Sequence, residues 1–344
     1  MTKYEMIQKD IADKIHRRVY KENERIPSEK ELMREWGVSR ITVTKALTEL
    51  TLAGYVYRVQ GKGSFVAPFN NHLSPKKSMP SSAVTPILKK VAIILPGHEG
   101  SHNSMLIQGI LDTLTFPEYF VSTFFVKSRD AENAALEHCR RSGYSGIILF
   151  PVNFEFYSDV ILELSVSRFP IVLVDRKFPG INVPSVTTDN IYGSLQAVKH
   201  LISMGHKNIG YIASSTEKEQ VSNLRFEGYR DAMLINGLEV QAYFDFKKNI
   251  DGLIQKIKDG SITAVLACNS YAASYLYDRC AAENIYIPKD LSVVCFDDPV
   301  TKRFSYVDQN SYEMGRLAAK KLKEYAEGGE VPESAVLTPR LITD

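Results

Sequence analysis

The stretch from Arg25 to Ala67 admits few folds. It reads R-I-P-S-E-K-E-L-M-R-E-W-G-V-S-R-I-T-V-T-K-A-L-T-E-L, then T-L-A-G-Y-V-Y-R-V-Q-G-K-G-S-F-V-A. Pro27-Ser28-Glu29 opens a helix in which Ser28 caps and Glu31 completes a capping box. Leu32, Met33 and Trp36 form its apolar side, and Gly37 permits a sharp turn. Val38 fills the turn, and Ser39 caps a further helix from Arg40 to about Ala53, with Val43, Leu47 and Leu50 on one face. Upstream, Tyr4, Ile7, Ile11, Ile15 and Val19 recur every three to four positions, which predicts an amphipathic helix from Tyr4 to about Val19. Downstream, Tyr55 to Val59 and Ser64 to Ala67 are β-rich runs joined by Gly61-Lys62-Gly63.

This order predicts a helix-turn-helix with a β-wing. In such a unit the second helix crosses the first and projects its N-terminal residues outward. Those residues here are Ser39, Arg40, Thr42, Thr44 and Lys45. They are short donors and cations able to reach base edges and phosphates, and Lys62 at the wing tip is expected near a phosphate or the minor groove. Residues 1–68 carry 13 Lys and Arg against 9 Asp and Glu, while the rest of the chain carries 29 against 31. A basic head on a slightly acidic body fits a polyanionic partner for the head alone. The G-K-G of the wing is no phosphate loop, because strand pattern rather than a helix follows it.

Residues 69–90 contain prolines 75, 80 and 86 with several Ser and Asn and no apolar period, and read as a linker. From Lys90 short apolar strands alternate with helical patterns, and the alternation occurs twice. That predicts an α/β body of two doubly wound lobes with parallel sheets and a ligand between them. We expect one lobe to hold about 91–188 and 309–332, and the other about 189–306 and 334–344. The strand ends are polar: Asp175-Arg176 after I-V-L-V, Asn269 after A-V-L-A-C, and Asp297-Asp298 after V-V-C-F. Carboxylates, an amide and a guanidinium can bond several hydroxyls at once, as a sugar requires.

No apolar run approaches the ~20 residues of a membrane span. The first residues, M-T-K-Y-E-M-I-Q-K-D, lack an apolar signal core, so a cytoplasmic location is expected. Cys139, Cys268, Cys280 and Cys295 lack C-x-x-C spacing and are expected to be buried reduced thiols. His98-Glu99-Gly100-Ser101-His102 matches the H-E-x-x-H zinc pattern by letters. Pro96-Gly97 before it and Gly100 within it oppose the required helix turn, so it is expected to be a polar loop lining the cleft. No catalytic constellation has a supporting context; neither enzyme activity, metal nor cofactor is expected.

The motifs carry two resemblances. I-P-S-E-K-E-L, G-V-S-R-I-T-V, A-L-T-E-L, G-Y and G-K-G-S-F-V resemble the DNA-binding domain of GntR-type bacterial transcription regulators. The resemblance implies DNA contacts from Ser28, Lys30, Ser39, Arg40, Thr42 and Thr44, with Gly61 at the wing. Many relatives have Arg where this chain has Thr44, so a contact there is lost or passes to Lys45. The body carries V-D-R at 174–176, T-D-N-I-Y-G at 188–193, H-L-I-S-M-G-H-K-N-I-G-Y-I at 200–212 and R-F-E-G-Y at 225–229. It also carries I-P-K-D-L-S-V-V-C-F-D-D at 287–298 and V-D-Q-N-S-Y-E-M-G at 307–315. These resemble the effector domain of LacI-type repressors, which has the periplasmic sugar-binding-protein fold. The combination is similar to regulators of the arabinose-repressor type.

The second resemblance implies effector contacts from Asp175, Arg225, Asn269, Asp297 and Gln309, with His98 and His102 on the first strand's exit, Gly97 to Asn103. Where the family has an Asn-Asp pair, this chain has Asn269-Ser270, and Ser270 is expected to cap the following helix. The implied protein is a homodimeric repressor of a sugar-utilisation operon that binds palindromic double-stranded DNA. A sugar or sugar phosphate would release it. The alternative is a co-repressor type responding to a purine or other polar metabolite.

Overall fold

The computed structural model describes residues 3–52, 55–59, 63–67, 88–97, 100–152, 157–213, 220–300 and 304–343. They fall into two units, Met1–Thr85 and Pro86–Asp344. Glu29 to Trp36 form α2, behind the capping box of Ser28 and Glu31, and Gly37 ends it in the left-handed conformation. The helix α1 (Lys3–His16) stops short of Val19, which is 60% exposed. Arg18 turns to φ 57° there, so the apolar stripe ends at Ile15. With α3 (Arg40–Leu52), β1 (Val56–Val59) and β2 (Gly63–Val66), these helices enclose Ile7, Ile11, Ile15, Leu32, Val43, Leu47, Leu50, Val56 and Val66. The wing strands are antiparallel, Val56 opposite Val66, and Ile26 donates its N–H to Ser64, tying the chain before α2 to the wing.

The second unit runs β3 (Lys89–Pro96), α4 (Ser101–Thr113), β4 (Tyr119–Val126), α5 (Arg129–Arg141), β5 (Gly146–Leu149), α6 (Asp159–Val166), β6 (Ile171–Val174) and β7 (Ser185–Thr188). It then runs α7 (Asn190–Ser203), β8 (Ile209–Ala213), α8 (Gln220–Ile235), β9 (Gln241–Phe244), α9 (Phe246–Lys258), β10 (Ala264–Ala267), α10 (Ser270–Ala282) and β11 (Ser292–Phe296). The chain finishes with β12 (Ser305–Asp308), α11 (Ser311–Ala326), β13 (Ala335–Leu337) and β14 (Arg340–Ile342). One sheet has the order β4-β3-β5-β6-β7-β13, the other β9-β8-β10-β11-β12-β14. Every pairing is parallel except β12 with β14. The central strands are buried throughout, as parallel strands covered by helices on both faces must be.

The chain crosses between the sheets after β7, after β12 and after β13. The tail from Ser334, expected with the second lobe, divides between the lobes: β13 joins the first sheet beside β7, and only β14 joins the second. Two strands of three residues each are too short to carry a periodicity in the sequence. Packing of α11 on the first lobe depends on Gly315, where a Cβ would lie 2.1 Å from the Leu106 carbonyl oxygen of α4. In the second lobe Gly228 of α8 meets α7 the same way, 2.2 Å from the Ile191 oxygen. Both glycines sit in motifs of the sequence, and close helix approach is their physical role.

Candidate functional site

The free face of α3 carries the head's candidate contacts. Val43, Ala46, Leu47 and Leu50 point into the core, leaving Arg40, Ile41, Lys45, Thr48 and Glu49 exposed. Ser39 Oγ accepts the Thr42 N–H at 3.4 Å and lies 3.0 Å from the Thr42 hydroxyl, closing the N-terminal turn. Arg40, 78% exposed, donates its Nε–H to Glu29 of α2 at 3.2 Å, so the two helices share an exposed ion pair at the start of α3. Lys45 lies with Nζ 4.0 Å from the centroid of the Tyr4 ring in α1, a cation–π contact that draws it back toward its own domain. Ser28 is committed to the cap, its backbone N–H donated to Glu31 at 2.7 Å, and Lys30 is exposed on α2. Gly61 and Lys62 lie outside the described residues.

In the body, the two acids at strand ends are set by the same device. Asp175 follows β6 and donates its backbone N–H to Val186 of β7 at 2.9 Å; Asp297 follows β11 and donates its own to Val307 of β12 at 3.1 Å. Both adopt left-handed backbones, φ 65° and 67°, a region Asp tolerates better than most residues. His102, in the first turn of α4, stands between them. Its Nε2 is 3.7 Å from Asp175 Oδ1, its Nδ1 is 3.8 Å from Asp297 Oδ1, and Nδ1 lies 2.7 Å from Ser311 Oγ at the start of α11. Gln309 donates to Asp297 Oδ1 at 2.6 Å. Phe150, at the end of β5, meets the imidazole edge-on at 5.6 Å, and the Arg176 guanidinium lies over the same ring at 5.5 Å.

Arg225 reaches the same region from α8. It is 4% exposed, stacks on Phe296 at 4.0 Å, and donates to Asn190 at 2.7 Å and to the Cys268 carbonyl at 2.5 Å. Its Nη2 has no hydrogen-bond partner, and neither have Asp175 Oδ1, Gln309 Oε1 and His102 Nε2. Buried polar atoms without partners, converging from two lobes, are the mark of a polar ligand site. The lobes also touch at the rim: Ser101 Oγ donates to the Asp298 carbonyl at 2.9 Å, and the Lys177 N–H donates to Gln220 at 3.3 Å. Behind Phe150, Glu132 accepts the Val152 N–H at 2.7 Å. Burial pushes its carboxyl up from 4.5 to about 7, against the opposing pull of that N–H and of Arg129 and Arg176.

Residues 3–66 match the family described as bacterial regulatory proteins, gntR family. Residues 89–246 match the periplasmic binding proteins and sugar binding domain of LacI family, and residues 198–343 a periplasmic binding protein-like domain. Over 99% of this chain and 95% of the relative, the sequence is 26% identical to the arabinose metabolism transcriptional repressor of Halalkalibacterium halodurans. The head alone is 48% identical to part of the histidine utilization repressor of Klebsiella aerogenes, over 19% of this chain and 27% of the relative. A LacI family transcriptional regulator from Enterococcus faecium, solved with bound ribose, superposes with a TM-score of 0.63 at 22% identity, covering 74% of this chain and 97% of that one. The transcription regulator CcpA of Lactococcus lactis gives 0.63 at 21%, covering 75% and 98%. The chain joins a GntR-type DNA-binding domain to a LacI-type, periplasmic-binding-protein-like body, and its relatives over the full length are transcription regulators.

In the LacI-type body the structure brings Asp175, Arg225, Asp297, Gln309 and His102 into one region; His98 lies outside the described residues. Asn269 is adjacent through Cys268, but its Oδ1 accepts the Ala272 N–H at 2.9 Å and caps α10. Asn269, not Ser270, is therefore the cap, because Ser270 is already the first helical residue. His102 belongs to a helix rather than the expected loop, since α4 begins at Ser101 directly after Gly100. Among the described residues, no group of three or more His, Cys, Asp or Glu side chains could hold a metal ion. All four cysteines are buried and free. Asn190, Phe150, Ser311 and Glu132 were not singled out from the sequence. Asn190 and Ser311 had a signal, standing in the motifs at 188–193 and 307–315; Phe150 and Glu132 had none.

Proposed function

We propose that the regulator represses a sugar-utilisation operon and releases its operator when a neutral sugar occupies the cleft between the two lobes. In this reading residues 1–68 are the DNA-binding domain, 69–90 the linker and 91–344 the effector-binding and dimerising domain. The carrying observation is the pair Asp175 and Asp297, held by the same backbone device on the two lobes with His102 between them. Carboxylate oxygens accept from sugar hydroxyls, while Arg225 Nη2 donates and Phe150 offers an aromatic face. Arg225 has two of its five donors committed to Asn190 and Cys268, and the carboxylates of Asp175 and Asp297 in the same region would repel a phosphate. A neutral pentose or hexose fits this balance better than its phosphate. The arabinose and ribose repressors among the relatives support the sugar class.

One helix-turn-helix head reads one half-site, so a homodimer on a palindromic operator is the corresponding assembly. No helix of the described residues is long and apolar enough to cross a membrane, and a regulator of transcription acts where the DNA is, in the cytoplasm. The effector shifts the equilibrium between two lobe arrangements by binding them with different affinity, and the linker carries the difference to the heads. Thermal unfolding of the full chain with arabinose, ribose, other pentoses and hexoses, and the corresponding phosphates tests the reading. A saturating neutral sugar should stabilise the protein by about 3 kcal/mol at a hundred times its Kd and weaken operator binding. A shift produced by phosphates alone would overturn the neutral-sugar assignment. A ligand that strengthens operator binding would make the protein a co-repressor type.

A further inference from the structure

On α3, Ile41 is 82% exposed, more than any other large apolar side chain among the described residues. Ile41, Thr44, Lys45 and Thr48 share one face at helical spacing, opposite the buried Val43, Ala46, Leu47 and Leu50. A β-branched residue is a poor choice for a solvated helix position on propensity alone, and Ile41 takes no part in the head's core. Its neighbour Arg40 is tied to Glu29 and Lys45 lies over Tyr4, which leaves the apolar surface of Ile41 uncovered in this stripe.

In the major groove the thymine C5-methyl is the apolar group that distinguishes one base from the others, and it is read by apolar side chains. We propose that Ile41 is a specificity-determining residue of this head, reading a thymine methyl in each operator half-site. The assignment rests on the head's DNA binding and goes beyond it by naming the base. It requires a thymine at a constant place in each half-site, where the methyl rather than the hydrogen-bonding edge is sensed.

The test separates the two layers. Selection of binding sites from random duplex DNA by the full-length protein reports whether the head binds a defined sequence. Each thymine of the selected half-site is then replaced by deoxyuridine, which removes the methyl and nothing else. At one position the parent should lose about fourfold in affinity, the value of one apolar carbon removed from water. Ile41→Ala, an exposed change whose folding is checked by its melting curve, should lose a similar factor on the thymine site and be indifferent to deoxyuridine at that position. The proposal is overturned if no deoxyuridine change affects the parent. It is equally overturned if Ile41→Ala responds to every deoxyuridine change as the parent does, whatever its overall affinity.

Discussion

The candidate reading surface and the candidate ligand cleft are built on opposite principles. On α3 the candidate contacts lie in one short segment at the surface, held by a bond within one turn, Ser39 to Thr42, and an exposed pair with the neighbouring helix, Arg40 to Glu29. In the cleft they are buried or half-buried and come from places scattered between His102 and Ser311, each ordered by a bond to a different element. A surface that must dock on an external duplex can keep its side chains in water until then. A site that surrounds a small molecule must desolvate its polar groups beforehand, which is costly unless each is held by a partner. The difference predicts that cleft substitutions endanger folding and surface substitutions endanger only affinity.

The largest break in that comparison is Arg225→Ala. It would strip Asn190 and the Cys268 carbonyl of a buried donor, so we expect about 3 kcal/mol or more of lost stability, measured by urea unfolding. Asp297→Asn is the control: an amide oxygen can still accept from Gln309, so the fold should survive while the effector no longer releases operator. If Arg225→Ala unfolds like the parent, its bonds to the second lobe are unimportant and its role is ligand contact alone.

Next in size is Glu132. Its carboxyl is raised to about 7 in the folded chain against 4.5 in the unfolded one, so between these values the native state binds more protons. Stability should therefore fall as pH rises through that window and level off above it, by up to about 3 kcal/mol. Glu132→Gln keeps an acceptor for the Val152 N–H without the buried charge, and should melt higher than the parent at pH 8 but not at pH 4.5. Parallel melting curves across that range would refute the buried-charge account.

The smallest effect on folding is expected at the surface. Arg40→Ala should leave the melting temperature nearly unchanged, since its pair with Glu29 is exposed. It should cost roughly 1–3 kcal/mol of operator affinity if the guanidinium makes a bidentate base contact. Operator affinity equal to the parent's would remove Arg40 from the reading surface.

Legibility in the sequence followed the same division. The capping box at Ser28 and the left-handed Gly37 act over a few residues, so their chemistry is written consecutively and could be read directly. The end of α1 was misplaced because Val19 continues the apolar spacing while the chain has already turned at Arg18. In the body, β7, β9 and β12 are four-residue strands, and β9 and β12 include half-buried positions, too short and mixed for a pattern to stand out. Asp175 and Asp297 were visible as polar residues after apolar strands. That Asn269 rather than Ser270 caps the next helix was decided only by its bond to the Ala272 N–H.

By itself the sequence determined the two module types and their order, because local caps, turns and strand–helix alternation are short-range properties of the chain. Tertiary structure decided which of the polar residues meet. Ser311 and His102 are brought to 2.7 Å only because α11 crosses back onto α4, and the backbone contact at Gly315 allows that approach. Ile41 shows the same limit from the other side. Its position in the motif was plain, but its exposure depends on how α1, α2 and the wing close over the opposite face of α3.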